Sequence, residues 1–126
     1  FLPRIVGLSQ ALEWVYTGEI FDAHTAKEKG FIRSIHSPET LLEEVYKLAR
    51  SIAEKSPVAI ALARQMMQRL SAAPHPRAAH DIDSLAIFYT SQADGKEGVA
   101  SFMEKRPPKF RSKVSRDMPD FYPWWE

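Results

Sequence analysis

The chain has 126 residues, 44% of them hydrophobic and 26% charged, with a formal net charge of +1. That length and balance fit one globular domain or a piece of one. The near-neutral charge supplies no overall field for nucleic acid or an anionic membrane, and with no cysteine there is no disulfide scaffold, Cys-based zinc site or thiol nucleophile.

Read from the first residue, FLPRIVGLSQ has neither an initiator Met nor the charged-then-apolar pattern of a signal peptide, and the chain is expected to be a fragment or a processed product. Ser9 is a candidate cap for a helix over residues 10–16, with Gly18 ending it. Asp22 is a second candidate cap, for a short helix over 23–29 closed by Gly30. Residues 31–35 are too few for a helix and read as a brief strand or an extended linker.

Ser37-Pro38 and Ser56-Pro57 are both start signals, a cap residue followed by proline at the first helical position. After the first come Leu41, Leu42, Val45, Leu48, Ala49, Ile52 and Ala53, one broad apolar stripe at helical spacing. After the second, Ala59, Leu62, Ala63, Met66 and Leu70 continue in the same way. Residues 71–77 hold two prolines and read as a loop, followed by a helix over 78–91 presenting Ile82, Leu85, Ala86 and Tyr89. Asp94 and Glu97 fit a capping box for a last helix to about residue 105, stopped by Pro107-Pro108. The fold class is mainly α. No apolar run is long enough for a transmembrane helix.

Most of the chemistry-bearing residues have plain readings. His75 and His80 lie five apart, the first in a proline-flanked loop, which is poor spacing for a metal pair, so no metal site is expected. His24 and His36 read as surface residues. There is no nucleophile elbow, P-loop or dinucleotide fingerprint. Glu43 and Glu44 fall opposite their apolar stripe, and Glu97 is accounted for by capping.

Residues 105–116 stand apart. They carry Lys105, Arg106, Lys109, Arg111, Lys113 and Arg116 with no acid among them. A solvated tail is one reading, and a phosphate site is the other. Phe102, three residues before Lys105, is expected to share its helix face and offer a stacking surface beside the cation, a pairing that suits an adenine nucleotide moiety.

Four blocks, in order, resemble one family. FLPRIVG resembles the LPR-x-v-G segment of the crotonase superfamily, the enoyl-CoA hydratase/isomerase proteins. ALEWVYTGEIFDAHTAKEKGFI resembles its T-G-x-x-i-x-A block. ARSIAEKSPVAIALARQMM resembles its A-x-x-s-P-x-A segment, with Arg64 or Gln65 where lysine is usual. DGKEGVASFMEKRPPKF resembles its closing D-x-x-E-G-x-x-A-F-x-E-K-R-x-P-x-F. The resemblance covers about residues 2–110.

What it implies is the helical C-terminal region of a crotonase-like fold. The ββα core, with its oxyanion hole and the hydratases' two glutamates, precedes the first block in family members and is absent from this chain, so no catalytic residue carries over. The resemblance implies a parent that acts on acyl-CoA as substrate through a stabilised enolate. It needs no separate cofactor, forms a trimer or dimer of trimers, and works in the bacterial cytoplasm or the mitochondrion. It divides the chain into residues 1–110, for trimerisation and CoA contact, and an aromatic extension over 111–126. Phe102 and Lys105 match the family's positions for the adenine and phosphate end of CoA, with Ser101 in place of the usual Ala. Trp14 stands where an aliphatic residue is usual, and core packing or a narrower acyl pocket are its two readings. Phe121, Tyr122, Trp124 and Trp125 are too apolar for a solvated tail and are expected to fold back on the body or on a neighbouring subunit. The alternative is a non-enzymatic helical module that oligomerises through its stripes and binds an acidic partner through its basic tail.

Overall fold

Proline opens most of the helices and glycine closes the early ones. The computed structural model describes residues 1–125 and contains seven helices and no strand among them. They are α1 (Leu2–Val6), α2 (Leu8–Thr17), α3 (Ala23–Glu28), α4 (Pro38–Ala53), α5 (Pro57–Leu70), α6 (Pro76–Gln92) and α7 (Asp94–Met103). The chain divides into two compact units, residues 1–47 and residues from 48 onward, with α4 running across the boundary.

In the first unit α1 is a helix that the sequence pattern did not mark. Five residues with no side-chain cap are too short for a periodic signal. Helix α2 starts at Leu8, so Ser9 lies inside it and Gly7 takes the cap position that had been assigned to Ser9. Gly18 ends α2 in the left-handed conformation, its N–H donating to the Trp14 carbonyl. The Asp22 carboxylate caps α3, accepting from the Thr25 N–H at 2.8 Å. Past α3, Gly30 sits at φ 75°, the Phe31 N–H donates to the Ala26 carbonyl, and the Gly30 N–H donates to the Lys27 carbonyl. That pair of bonds is the Schellman turn. Residues 31–33 form bends and residues 34–35 have no regular structure, which leaves the linker reading in place of the strand. Trp14 stacks on Phe21 with centroids 4.0 Å apart and meets the edge of Phe31 at 6.0 Å.

In the second unit the Ser56 side chain caps α5, accepting from the Ala59 N–H at 3.4 Å. Helix α6 starts two residues earlier than its apolar pattern, because His75 Nδ1 accepts from the Arg77 N–H at 3.1 Å and serves as its cap. The core is Val58 and Leu62 from α5 and Ala86 from α6. Met66, Tyr89, Met118, Phe121, Tyr122 and Trp124 pack around it. The aromatic tail thus folds back on its own unit. The Tyr89 hydroxyl pins it by donating to the Asp117 carbonyl, and the Arg69 guanidinium lies 3.6 Å from the centre of the Trp125 ring.

The α4 stripe forms, yet nothing in α4 is buried: Leu42 and Val45 remain 66% and 51% exposed. Leu85, Ile87, Phe88, Val99 and Met103 are also exposed, far more apolar surface than a self-contained domain leaves open.

Two substitutions test the second unit. Leu62 is 1% exposed, so Leu62→Ala is expected to cost about 2–5 kcal/mol in chemical denaturation. A Cβ at Gly95 would lie 2.7 Å from the Thr90 carbonyl oxygen. Gly95→Ala, which raises helix propensity elsewhere, is therefore expected to destabilise by about 1–3 kcal/mol here; a stabilised variant would contradict that contact.

Candidate functional site

The end of α7 and the basic segment after it are shaped by two carboxylates. Glu97 was assigned to a capping box, and the structure gives it a different task. Its Oε1 and Oε2 accept from the Arg106 guanidinium at 2.6 and 3.0 Å, and Oε1 also accepts from the Lys109 N–H at 2.6 Å. Asp94 makes no cap either, since Ala93 holds that position. Its Oδ1 accepts from the N–H groups of Arg111 and Ser112 at 3.2 and 3.4 Å. Both carboxylates tie down the returning chain. Sequence spacing put them three apart at a helix start, which fits a cap and this clamp equally well.

The electrostatics follow the geometry. The Arg106 hydrogen bonds, then the Lys109 amide, hold the Glu97 carboxyl down at about 2. Arg106 is pushed up in turn, by Glu97 first and Glu104 second. Burial works against the charge on Asp94, which is 8% exposed, but the nearby Ser56 hydroxyl and the Arg111 and Ser112 amides outweigh it and keep its pKa low. An open cleft of about 730 Å³ lies here, bordered by Asp94, Lys96, Glu97, Arg106, Lys109 and Arg111.

Phe102 and Lys105 stand outside that cleft. The expected shared helix face does not form, because α7 ends at Met103 and not at residue 105. Instead Lys105 takes φ 53°, the one positive φ outside glycine among the described residues. The Arg106 N–H donates to the Ser101 carbonyl at 3.0 Å and the Lys105 N–H to the Phe102 carbonyl at 3.3 Å. This is the same Schellman turn that closes α3, with lysine in the place of Gly30. A side chain in that conformation costs about 1 kcal/mol or more relative to glycine. Phe102 is 82% exposed, and Lys105 is exposed with no salt bridge among the described residues. The basic run is not uniform: Arg106 and Arg116 are engaged, with Glu97 and Glu104 and with Asp117 respectively.

The histidines do not converge. No group of three His, Asp or Glu residues is placed to hold a metal among the described residues. His80 Nδ1 lies 3.5 Å from Asp83, and His36 Nε2 lies 2.7 Å from the Ser34 hydroxyl.

A family model described as enoyl-CoA hydratase/isomerase matches residues 1–113. The chain belongs to that family. It is 37% identical over 118 residues to an enoyl-CoA hydratase of Alternaria alternata, covering 90% of this chain and 39% of the relative. It is 35% identical over 114 residues to a mitochondrial enoyl-CoA hydratase of Pongo abelii, covering 89% of this chain and 39% of the relative. The crystal structure of an enoyl-CoA hydratase from Bacillus anthracis superposes with a TM-score of 0.81 at 28% identity, over 89% of this chain and 43% of that one. The chain thus spans about two fifths of these relatives' length. Within the enoyl-CoA hydratase/isomerase family it is an all-helical portion of the crotonase fold. No helix among its described residues is long and apolar enough to cross a membrane.

The clamp gives a pH test with a definite sign. Because folding lowers the Glu97 pKa from 4.5 to about 2, its contribution is complete above pH 4.5 and is lost as pH falls through about 2. Acid titration of unfolding midpoints is expected to show Glu97→Gln with a shallower fall below pH 4.5 than the parent chain; identical slopes would contradict the clamp.

Proposed function

We propose that this chain is the CoA-contacting, subunit-assembling helical region of an enoyl-CoA hydratase/isomerase enzyme that acts on acyl-CoA thioesters through a stabilised enolate. The observation that carries the reading is the end of α7, where an aromatic residue, Phe102, and a cation three positions on, Lys105, are both left open to solvent while the neighbouring Arg106 is bonded to Glu97. Phe102 would stack on the adenine, and Lys105 would meet a phosphate of CoA as a point charge. The exposed apolar surface of α4, α6 and α7 supports homo-oligomer assembly, as a trimer or dimer of trimers in the whole protein. The oxyanion donors and acid–base groups for the reaction would come from outside these residues, and no separate cofactor is invoked. The relatives above include a mitochondrial protein and a bacterial one, which supports either compartment for the parent.

A helical self-association module without chemistry is the second reading, and the same exposed side chains on α4 favour it. Calorimetric titration with CoA separates the two. Binding that Lys105→Ala weakens by about tenfold, the loss of one charge-assisted hydrogen bond, is expected on the first reading. Absence of binding even in the assembled oligomer would favour the second. The 126-residue chain alone is expected to leave crotonyl-CoA unhydrated, and hydration at the rate of a full-length hydratase would overturn the placement of the catalytic groups.

A further inference from the structure

Among the described residues, three helices are followed by a left-handed residue. At two of them that residue is glycine, Gly18 and Gly30, which adopts the conformation without strain. At the third it is Lys105. The Schellman bonds after α7 repeat those after α3, so the turn itself makes no demand for a lysine side chain. Nothing around Lys105 repays its placement either: it forms no salt bridge among the described residues, and it is exposed. The turn is held from the other side. Glu97, two helical turns upstream, grips Arg106 by its guanidinium and Lys109 by its backbone N–H, which fixes the residues that follow Lys105. A strained non-glycine residue persists where its surroundings over-determine it, and such residues collect at ligand sites.

We propose that Lys105 is held in a strained turn so that its ammonium is presented to solvent at the exposed end of α7, three residues after Phe102, and that Glu97 is the positioning residue that enforces this presentation. The inference rests on the reading of Phe102 and Lys105 as the CoA contact. It adds that stability and CoA affinity are opposed at residue 105, and that the effect of Glu97 on affinity passes through Lys105.

The test combines unfolding midpoints with calorimetric CoA titration of the 126-residue chain. Lys105→Gly is expected to raise the midpoint and weaken CoA by about tenfold, whereas Lys105→Ala, which keeps the strain, weakens CoA equally without the gain in stability. Glu97→Gln is expected to weaken CoA severalfold in the parent chain and to have no further effect in the Lys105→Ala background, the signature of coupled residues. A residue with a merely structural role would act equally in both backgrounds. A midpoint that falls in Lys105→Gly overturns the strain, and an undiminished Glu97→Gln effect on Lys105→Ala overturns the positioning role. If the parent chain binds no CoA, the reading of the site fails, and the inference about presentation to a ligand fails with it, while the midpoints still decide the strain.

Discussion

The Glu97 carboxylate organises the end of α7 and the basic segment that follows it. One side chain accepts from the guanidinium of Arg106 and from the backbone of Lys109, and it does so from the first turn of α7. Without that grip a cationic, proline-containing segment would have every reason to stay solvated. With it, the segment turns back along α7, Asp94 catches the amides of Arg111 and Ser112, and Phe110 comes to rest against Gly98. Two acids on one helix thereby convert a charge run into a fixed surface. The division of labour among the cations follows: Arg106 is structural, and Lys105 beside it is left for solvent or a ligand.

The same segment explains why the aromatic tail has a place to go. Once residues 106–112 are tied to α7, the Asp117 carboxylate accepts from the Lys113 N–H, and the Asp117 carbonyl accepts from Tyr89 on α6. Phe121 and Tyr122 then close over Val58, Leu62 and Ala86. This core is small, and the second unit depends on its tail to complete it. The faces that stay bare, on α4 and on the outer sides of α6 and α7, are those for which this chain supplies no cover.

Much of the fold was legible in the sequence because its punctuation is local. Gly18, Gly30, Asp22 and Ser56 act where short-range chemistry places them, and the apolar series at Leu62 and Ala86 finds the core. The failures share a different cause. Ser9 competed with a glycine that starts α2 earlier, and His75 is a cap of a kind that propensity does not favour. Glu97 and Asp94 were read by sequence spacing, whereas their partners lie 9 to 18 residues away. The left-handed Lys105 was hidden for the same reason: a lysine at a helix end gives no sign that its backbone has taken the glycine conformation. Family resemblance singled out Phe102 and Lys105, and backbone geometry adds the physical oddity that spacing could not reveal.

The most direct measurement is an amide-resolved NMR titration of the chain with CoA. On this account the largest shifts gather at residues 101–106, with smaller ones at Glu97 and Lys109 through the clamp, and α2 and α3 stay unmoved. Shifts centred elsewhere, or none at saturating CoA, would contradict the central claim that the end of α7 is built to present Lys105 and Phe102 to CoA.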